Sequence, residues 1–348
     1  MKKRSDGRYR KTIKDDRTGK TIYFYGSSER EVNRKLLEYQ RKADRGRTFR
    51  EIADDWYEES HGSWSINTEK TYRRPLEMAI SEFGEQYVSD IMPRDIQTMV
   101  NRLKVEGYSR STISIRYIVL HAILDRAVVN GELQVNPCAS VKLPKAAKEV
   151  RHAAGYEEES LILNTDDKWI FPKLALLTGL RRGEILALKW GDIDFDADLI
   201  YVTKGIVYDG TRPIVTTTKT DESVRAVALL TPLKALLNAI KERDNPNDND
   251  FLFSSNGGKA PYTSTDYQRE YMRYKRRTGI TCTAHQLRHS YATIAIEEGV
   301  AAKDLQHALG HASINTTLNI YAEAREKSTR NVGAKMNAAF AEKMGKKA

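Results

Sequence analysis

The sequence of 348 residues lacks any apolar run near the roughly 18 residues that a membrane-spanning helix needs. Its first residues also lack the apolar segment of a secretory signal peptide. There are only two cysteines, Cys138 and Cys282, and they lie far apart in no metal-binding or redox spacing. We therefore expect a cytoplasmic protein in a reducing compartment, with no membrane partner and no disulfide framework.

What the sequence does contain is an excess of basic residues at its N-terminus. The net charge is +10, and the first 50 residues hold 17 Lys and Arg against 7 Asp and Glu. This excess of ten equals the charge of the whole chain. Such a segment is either a solubilising tail or a phosphate-binding module, and its regular patterning favours the second.

Residues 1–46 are predicted to form a small β-sheet backed by one helix. Two stretches rich in β-branched and aromatic residues flank a turn at residues 15–19, and a helical pattern follows from about residue 29 to residue 44. A solvated hairpin is the alternative, but a sheet with basic residues on its open face suits the major groove of DNA. The candidate DNA contacts are Arg8, Arg10, Lys11, Lys14, Lys20, Tyr23 and Tyr25.

The remaining chain is predicted to form an all-helical bundle, a linker and a mixed domain, so the fold class is mixed and mostly α. Residues 47–143 carry helical patterns at 49–59, 67–83, 93–105 and 110–130, and 144–154 is a basic, poorly periodic linker. Residues 155–348 alternate helices with strands near 199–207, 212–218 and 223–229.

Four of the seven histidines lie between residues 285 and 311. His285, Arg288 and His289 have the spacing that places them on one helical face, and His307 and His311 follow. Two His-x-x-x-His pairs suggest zinc, but neither has the glutamate of a metalloprotease helix, and Arg288 would repel a cation. An arginine between histidines suits an anion instead, so we expect no metal.

Two earlier segments are weak signals by themselves. Thr178-Gly-Leu-Arg-Arg-Gly-Glu184 joins two apolar helices and leaves Arg181 beside a helix N-terminus, where free N–H groups favour anions. Two ordinary surface arginines would give the same pattern. The polar segment 216–222 is predicted to be a hairpin between two strands with Lys219 at its centre, and a turn lysine is the simple interpretation.

Taken in order, these residues resemble the tyrosine recombinase (integrase) family. The order is Thr-Gly-Leu-Arg181, Lys219, His285-x-x-Arg288, Leu-Gly-His311 and, ten residues later, Tyr321. The resemblance covers the whole chain and implies an arm-type DNA-binding domain (1–46), a core-binding domain (47–143) and a catalytic domain (155–348). The plan is most similar to integrases of phages and integrative conjugative elements, since Xer-type resolvases usually lack the N-terminal domain.

The resemblance implies the role of each site residue in cutting and rejoining DNA through a 3′-phosphotyrosine. Arg181 and Arg288 bind the non-bridging phosphate oxygens, for which the guanidinium fork is well shaped. Tyr321 is the nucleophile and His285 its proton acceptor or orienting group. The three further assignments are the general acid Lys219, the phosphate ligand His311 and the supporting carboxylate Glu184. The reaction needs no metal, ATP or other cofactor.

Without that context Tyr321 is simply one of 18 tyrosines on a short amphipathic helix, and a core position is its ordinary interpretation. His289 and His307 are assigned to helix packing or DNA-backbone contact. Residues 326–343 have a helical composition, and the family docks this segment on a neighbouring protomer; packing in cis is the alternative.

The expected partners are double-stranded DNA with core and arm sites, and three further copies of the chain in a homotetramer on DNA. The free protein is expected to be a monomer, and an excisionase and a host DNA-bending protein are possible partners. The competing functions are a non-catalytic DNA-binding regulator, an Xer-like resolvase and a type IB topoisomerase. The full set of site residues argues against the first.

Overall fold

The computed structural model describes residues 5–14, 20–145, 153–166, 168–217, 224–322 and 336, with the backbone alone for 41–45. The chain divides into two compact units, Met1–Glu149 and Val150–Ala348. Helices dominate, and the sheets are small and antiparallel, which confirms the mixed, mostly α fold class. Within the described ranges, no helix has the length and apolar character that crossing a bilayer requires.

The first unit begins with a two-stranded sheet and continues in helices. Its elements are β1 (Tyr9–Lys14), β2 (Thr21–Gly26), α1 (Glu29–Arg45), α2 (Phe49–Ser60), α3 (Ile66–Phe83), α4 (Pro93–Val105) and α5 (Arg110–Val129).

The β1–β2 sheet packs one face on α1. Phe24 of β2 is buried against Val32 and Leu36 of α1. Successive residues of a strand point to opposite faces of the sheet. Tyr23 and Tyr25 consequently lie on the other, open face and are 51% and 38% exposed.

Helices α2 to α5 enclose a separate apolar core, and capping side chains fix where they begin. Thr48 and Glu51 form a capping box at α2: the Glu51 carboxylate accepts from the Thr48 N–H at 2.9 Å. At α3 and α5 the cap is a serine side chain: Oγ of Ser65 accepts from the Thr68 N–H, and Oγ of Ser109 from the Thr112 N–H. The four long helices predicted between residues 49 and 130 are confirmed to within one or two residues at each end.

The second unit surrounds its strands with helices. Its elements are α6 (Tyr156–Asn164), α7 (Phe171–Thr178), α8 (Arg182–Ala187), β3 (Ile193–Asp194), β4 (Leu199–Val202), β5 (Lys204–Asp209), β6 (Arg212–Thr217), β7 (Arg225–Ala228), α9 (Thr231–Asp244), α10 (Ser264–Thr278), α11 (Ala284–Glu297) and α12 (Ala302–Leu309). Residues 314–322 form a further helix, which we label α13.

The strands belong to two sheets, which corrects two expectations. The predicted strand at 199–207 is interrupted at Thr203, because β4 joins the sheet β3-β4-β7 whereas β5 pairs with β6. The predicted hairpin around residues 216–222 is also wrong in its pairing, since β6 hydrogen-bonds to β5 and β7 to β4. The segment between β6 and β7 therefore links two sheets.

Candidate active site

The turn after α7 is shaped by a glycine. Gly179 ends the helix in the left-handed conformation, with φ of 65°, and a Cβ there would lie 2.5 Å from Cδ1 of Tyr291. The side chain of Thr178 donates to the Leu174 carbonyl at 2.6 Å and accepts from the Leu180 N–H, which fixes the backbone on both sides of the turn. This turn directs the chain so that Arg181 stands at the start of α8.

Arg181 is held by Glu184 and by a carbonyl from a distant helix. Its Nη1 donates to Oε1 of Glu184 at 2.8 Å, its backbone N–H to Oε2 at 2.8 Å, and its Nη2 to the Gly310 carbonyl at 2.6 Å. The side chain is nevertheless 44% exposed. The adjacent Arg182 lies over the ring of Tyr267 instead, at 5.3 Å. The two neighbouring arginines therefore have different surroundings, and the contacts to Glu184 and Gly310 belong to Arg181.

The expectation of an anion site at the α8 N-terminus stays a prediction. The helix has only six residues, and the Glu184 carboxylate already accepts from the backbone N–H of Arg181.

Arg288 lies in the interior, on the α11 face predicted from the sequence. Its Nη1 donates to the Gly179 carbonyl at 2.8 Å and its Nη2 to the Leu309 carbonyl at 2.7 Å. Burial, and then repulsion from Arg181, lower the pKa of Arg288 to about 9. The guanidinium is still charged at neutral pH. Because burial makes that charge unfavourable, binding a nearby anion would stabilise the charged form.

His311 follows the turn that contacts both arginines. Gly310 ends α12 in the left-handed conformation, and Nδ1 of His311 lies 2.9 Å from Oγ1 of the buried Thr317. Burial lowers the pKa of His311 to about 4, and the charges of Arg288 and Arg181 act in the same direction. The imidazole is therefore neutral at pH 7. If Thr317 donates to Nδ1, then Nε2 carries the hydrogen and can donate to an oxyanion.

His285 is exposed near the start of α11, one helical turn before Arg288. It also contributes to the lowered pKa of His311, after burial and the charges of Arg288, Arg181 and Arg225. His289 is half-buried, with Nδ1 at 3.4 Å from Oγ1 of Thr293, and His307 is exposed on α12. These positions agree with structural or surface roles.

Tyr321 lies on α13, one turn after Thr317. Its ring packs against a small cluster that includes Ala292 and Leu309, and its hydroxyl donates to the carbonyl of Val300. Leu309, whose carbonyl accepts from Arg288, therefore belongs to the apolar cluster against which Tyr321 packs.

Arg225 is a site residue that the sequence analysis missed. It is the first residue of β7, and its side chain is completely buried. Its Nη2 donates to Oε2 of Glu184 at 2.8 Å, and its Nε to the Ala308 carbonyl at 2.8 Å. A signal was present: strand alternation places it on the face of the buried Val227.

The structure therefore brings together Arg181, Glu184, Arg225, Arg288 and His311. Lys219 lies outside the described residues, as does the predicted helix 326–343 apart from Met336.

The N-terminal sheet presents part of the predicted set of DNA contacts. Arg10 pairs with Tyr25, and Lys14 with Thr21, so these side chains share the open face. The Arg10 guanidinium lies 5.6 Å from the ring of Tyr23.

The other predicted contacts of this sheet differ in position. Lys11 does not share the open face, because it pairs with the inward-facing Phe24. Arg8 and Lys20 are exposed beside the strands, and Arg8 lies 3.7 Å from the carboxylate of Asp6.

The comparisons with known proteins identify both units of the chain. The Phage integrase family profile matches residues 153–328, and the Phage integrase central domain profile matches residues 49–143. A tyrosine recombinase XerC-like protein of Caldanaerobacter subterraneus subsp. tengcongensis is 28% identical over 94% of this chain and 95% of its own length. The ICEBs1 integrase of Bacillus subtilis is 27% identical over 79% of this chain and 80% of its own.

Solved structures share the fold. The Tn1549 transposon integrase in complex with transposon right end DNA superposes with a TM-score of 0.69 at 22% identity, over 82% of this chain and 100% of that one. A lambda integrase tetramer bound to a Holliday junction gives 0.58 at 22% identity, over 91% and 93%.

Proposed function

The chain belongs to the Phage integrase family, and from that premise we propose that Tyr321 attacks a DNA phosphodiester bound by Arg181 and Arg288. The chain is a site-specific DNA recombinase of the tyrosine type, as its curated relatives are. The observation that carries the proposal for the site is the meeting of Arg181, Arg288 and His311 at one glycine turn, Gly310, beside the helix of Tyr321.

The two arginines are suited to the non-bridging oxygens of a phosphodiester. Each η nitrogen carries two hydrogens, and the bonds to Glu184 and to the carbonyls use one of them. The remaining hydrogens can donate to phosphate, and bonds from a guanidinium to a phosphate oxygen are about twice as strong as neutral ones. The contacts already made hold both groups in place before DNA arrives, so the transition state is stabilised without reorganisation.

The nucleophilic step makes one bond and breaks one. The Tyr321 oxygen forms a bond to phosphorus while the bond from phosphorus to the 5′-oxygen breaks. His285 accepts the phenolic proton, and Lys219 protonates the departing 5′-oxygen, which would otherwise leave as a strong base. His311 donates through Nε2 to a phosphate oxygen. The Tyr321 hydroxyl donates to the Val300 carbonyl in the structure, so it exchanges that bond for the phosphate during cleavage.

The phosphotyrosine conserves the energy of the phosphodiester bond. A free 5′-hydroxyl of another duplex can therefore reverse the step without ATP or metal, which distinguishes strand exchange from hydrolysis. We assign the physiological reaction to integration and excision of a mobile element, because the chain has an N-terminal sheet with exposed Arg10, Lys14 and Tyr23 that suits arm-type DNA sites. Excision is expected to use an excisionase and a DNA-bending host protein.

A homotetramer on two duplexes is the assembly we propose, by analogy with the lambda integrase tetramer bound to a Holliday junction. Docking of residues 326–343 on a neighbouring protomer would connect the four sites. An Xer-like resolvase would form the same junction at a different pair of sites. A type IB topoisomerase would form the covalent adduct without a junction.

The test begins without knowledge of the attachment sites. Purified protein is incubated in EDTA with fragmented genomic DNA of its source cell, covalent adducts are precipitated with SDS and potassium, and the captured ends are sequenced. The recovered site is then built into a nicked duplex that traps the adduct. Wild type and a Tyr156→Phe control, whose tyrosine is 84% exposed on α6, should form adduct, and Tyr321→Phe should form none.

Absence of a wild-type adduct, or an adduct with Tyr321→Phe, would contradict the proposed mechanism. A four-way junction product from two intact duplexes separates the recombinase from the topoisomerase.

A further inference from the structure

Arg225 occupies an unusual position for a charged side chain. It opens β7, pairs with Val202 across the sheet β3-β4-β7, and has a side-chain exposure of 0%. Complete burial of a charge is costly, so such a group is found only where partners satisfy it. The partners of this guanidinium are parts of the candidate active site.

The first partner is the carboxylate that also holds Arg181. Nη1 and Nη2 of Arg225 donate to the two oxygens of Glu184 at 3.1 and 2.8 Å, a two-pronged pairing that fixes the carboxylate plane. The same two oxygens accept from Nη1 and the backbone N–H of Arg181. Burial raises the pKa of Glu184, but the Arg225 hydrogen bonds and charge, followed by those of Arg181, outweigh it and lower the pKa overall.

The second partner is the end of α12. Nε of Arg225 donates to the Ala308 carbonyl, and the guanidinium lies against Gly310, where a Cβ would come within 2.8 Å of Nη1. The Gly310 carbonyl in turn accepts from Nη2 of Arg181. Both groups that Arg225 contacts, Glu184 and the turn at residues 308–310, therefore also bind the partly exposed guanidinium of Arg181.

We propose that Arg225 is a positioning residue for strand cleavage: it acts through Glu184 and the 308–310 turn to fix the Arg181 guanidinium. The inference rests on the proposed function of Arg181 as a phosphate ligand. Arg225 is not itself a catalytic residue, because its side chain is inaccessible to DNA. We expect its effect on the chemical step rather than on DNA affinity, because its completely buried side chain cannot itself contact the DNA backbone.

The principal variant is Arg225→Lys. Lysine keeps the charge, but its single nitrogen cannot occupy the positions of Nη1, Nη2 and Nε together, so the paired bonds to Glu184 and the bond to the Ala308 carbonyl cannot all keep their geometry. Single-turnover adduct formation at saturating DNA should slow about 10- to 100-fold, the size expected when a catalytic group is misplaced by about 1 Å. The dissociation constant for the same duplex should change less than about threefold. A Leu237→Ala variant in the core of this unit controls for loss of stability alone and should cleave at the wild-type rate at permissive temperature.

A double-variant comparison tests the route through Arg181. In an Arg181→Lys background, adding Arg225→Lys should slow cleavage by less than about threefold, because residues that act through one another are not additive. The inference would be overturned if Arg225→Lys slowed cleavage as much in the Arg181→Lys background as in wild type. It would also be overturned if Arg225→Lys alone cleaved within about threefold of the wild-type rate. Failure of the wild-type protein to form any adduct would refute the proposed function instead.

A second perturbation serves if Arg225→Lys does not fold. Gly310→Ala presses a Cβ onto the Arg225 guanidinium without removing a buried charge. Gly279→Ala is the matched control: Gly279 is also a left-handed helix end, with φ of 79°, but no atom lies within 4 Å of its Cβ position. Slower cleavage by Gly310→Ala than by Gly279→Ala at equal DNA occupancy supports the inference, and equal rates would reject it.

Discussion

Replacing Glu184 with glutamine should destabilise the second unit strongly, although the two side chains have almost the same shape. The Glu184 carboxylate is 7% exposed and accepts hydrogen bonds from Nη1 and Nη2 of Arg225 and from Nη1 and the backbone N–H of Arg181. Glutamine retains one acceptor oxygen and turns an amide NH₂ toward the donors that met the other. Two of the four hydrogen bonds to this side chain are lost. The buried Arg225 guanidinium then keeps one of its two bonds to residue 184 and faces no negative charge there.

The magnitude follows from those contacts. A hydrogen bond to a charged group contributes about 1.5–3 kcal/mol, and breaking a buried ion pair by changing one partner costs about 3–5 kcal/mol. The Arg181 side is 44% exposed and should contribute at the low end of that range. We expect a loss of roughly 3–4 kcal/mol. For a unit of this size it corresponds to a fall of roughly 6–16 °C in the melting temperature.

Scanning calorimetry of the full chain at pH 7 measures this shift, with the exposed Glu242→Gln as the matched control. The lowered pKa of Glu184 also determines how its contribution to stability changes with pH. The pKa of Glu184 is lowered by folding, so its contribution is complete above its unfolded pKa of about 4.3 and disappears as the pH falls through the lower folded value. The difference in stability between wild type and Glu184→Gln should therefore begin to shrink as the pH falls below about 4.3 and vanish below the lower folded pKa. A Glu184→Gln protein that melts within about 1 °C of wild type at pH 7 would show that the carboxylate bridge contributes little.

Three further predictions concern the same site. Gly179→Ala should lower the stability in urea by about 2–4 kcal/mol, because its Cβ meets Tyr291 at a backbone angle that disfavours side chains; an unchanged midpoint would contradict this. The lowered pKa of His311 should make stability rise by about 1–2 kcal/mol between pH 4 and pH 6.5, and His311→Gln should flatten that rise. Arg181→Gln should slow adduct formation by about 10³-fold or more, whereas Arg182→Gln, which removes only a contact over a tyrosine ring, should stay within about threefold; comparable losses would contradict the assignment.

The sequence predicts helix starts well because the signals are local. Thr48 and Glu51 lie three residues apart, and the hydrogen bonds that close the capping box involve only that turn. The same is true of Thr283 and Gln286 at the start of α11, which carries Arg288. Where partners lie within one turn, the residue types determine the geometry.

Pairings between distant segments were harder to predict. Residues 199–207 have continuous strand character, but the partner of Val202 is Arg225 and that of Lys204 is Thr217, in separate sheets. The residue types in a strand do not determine which other strand will pair with it. For the same reason the role of Arg225 was missed, since its partners Glu184 and Ala308 are 41 and 83 residues away.

The arginines of the site share one further property: their partners include carbonyls at the ends of two helices. Arg288 bonds to Gly179 at the end of α7, and Arg288, Arg225 and Arg181 bond in turn to Leu309, Ala308 and Gly310 at the end of α12. The last carbonyls of a helix receive no amide from a following turn and carry partial negative charge. They stabilise a guanidinium without neutralising it.

This arrangement explains how three guanidinium groups can lie in one site before any phosphate is bound, although only Arg181 and Arg225 bond to the carboxylate of Glu184. The dipoles of the helix ends compensate the surplus charge in part, and a phosphodiester would supply the missing anion. The glycines in Thr-Gly-Leu-Arg and Leu-Gly-His then have a common purpose. Gly179 and Gly310 each end a helix in the left-handed conformation, which turns the chain away and leaves the terminal carbonyls open to the arginines.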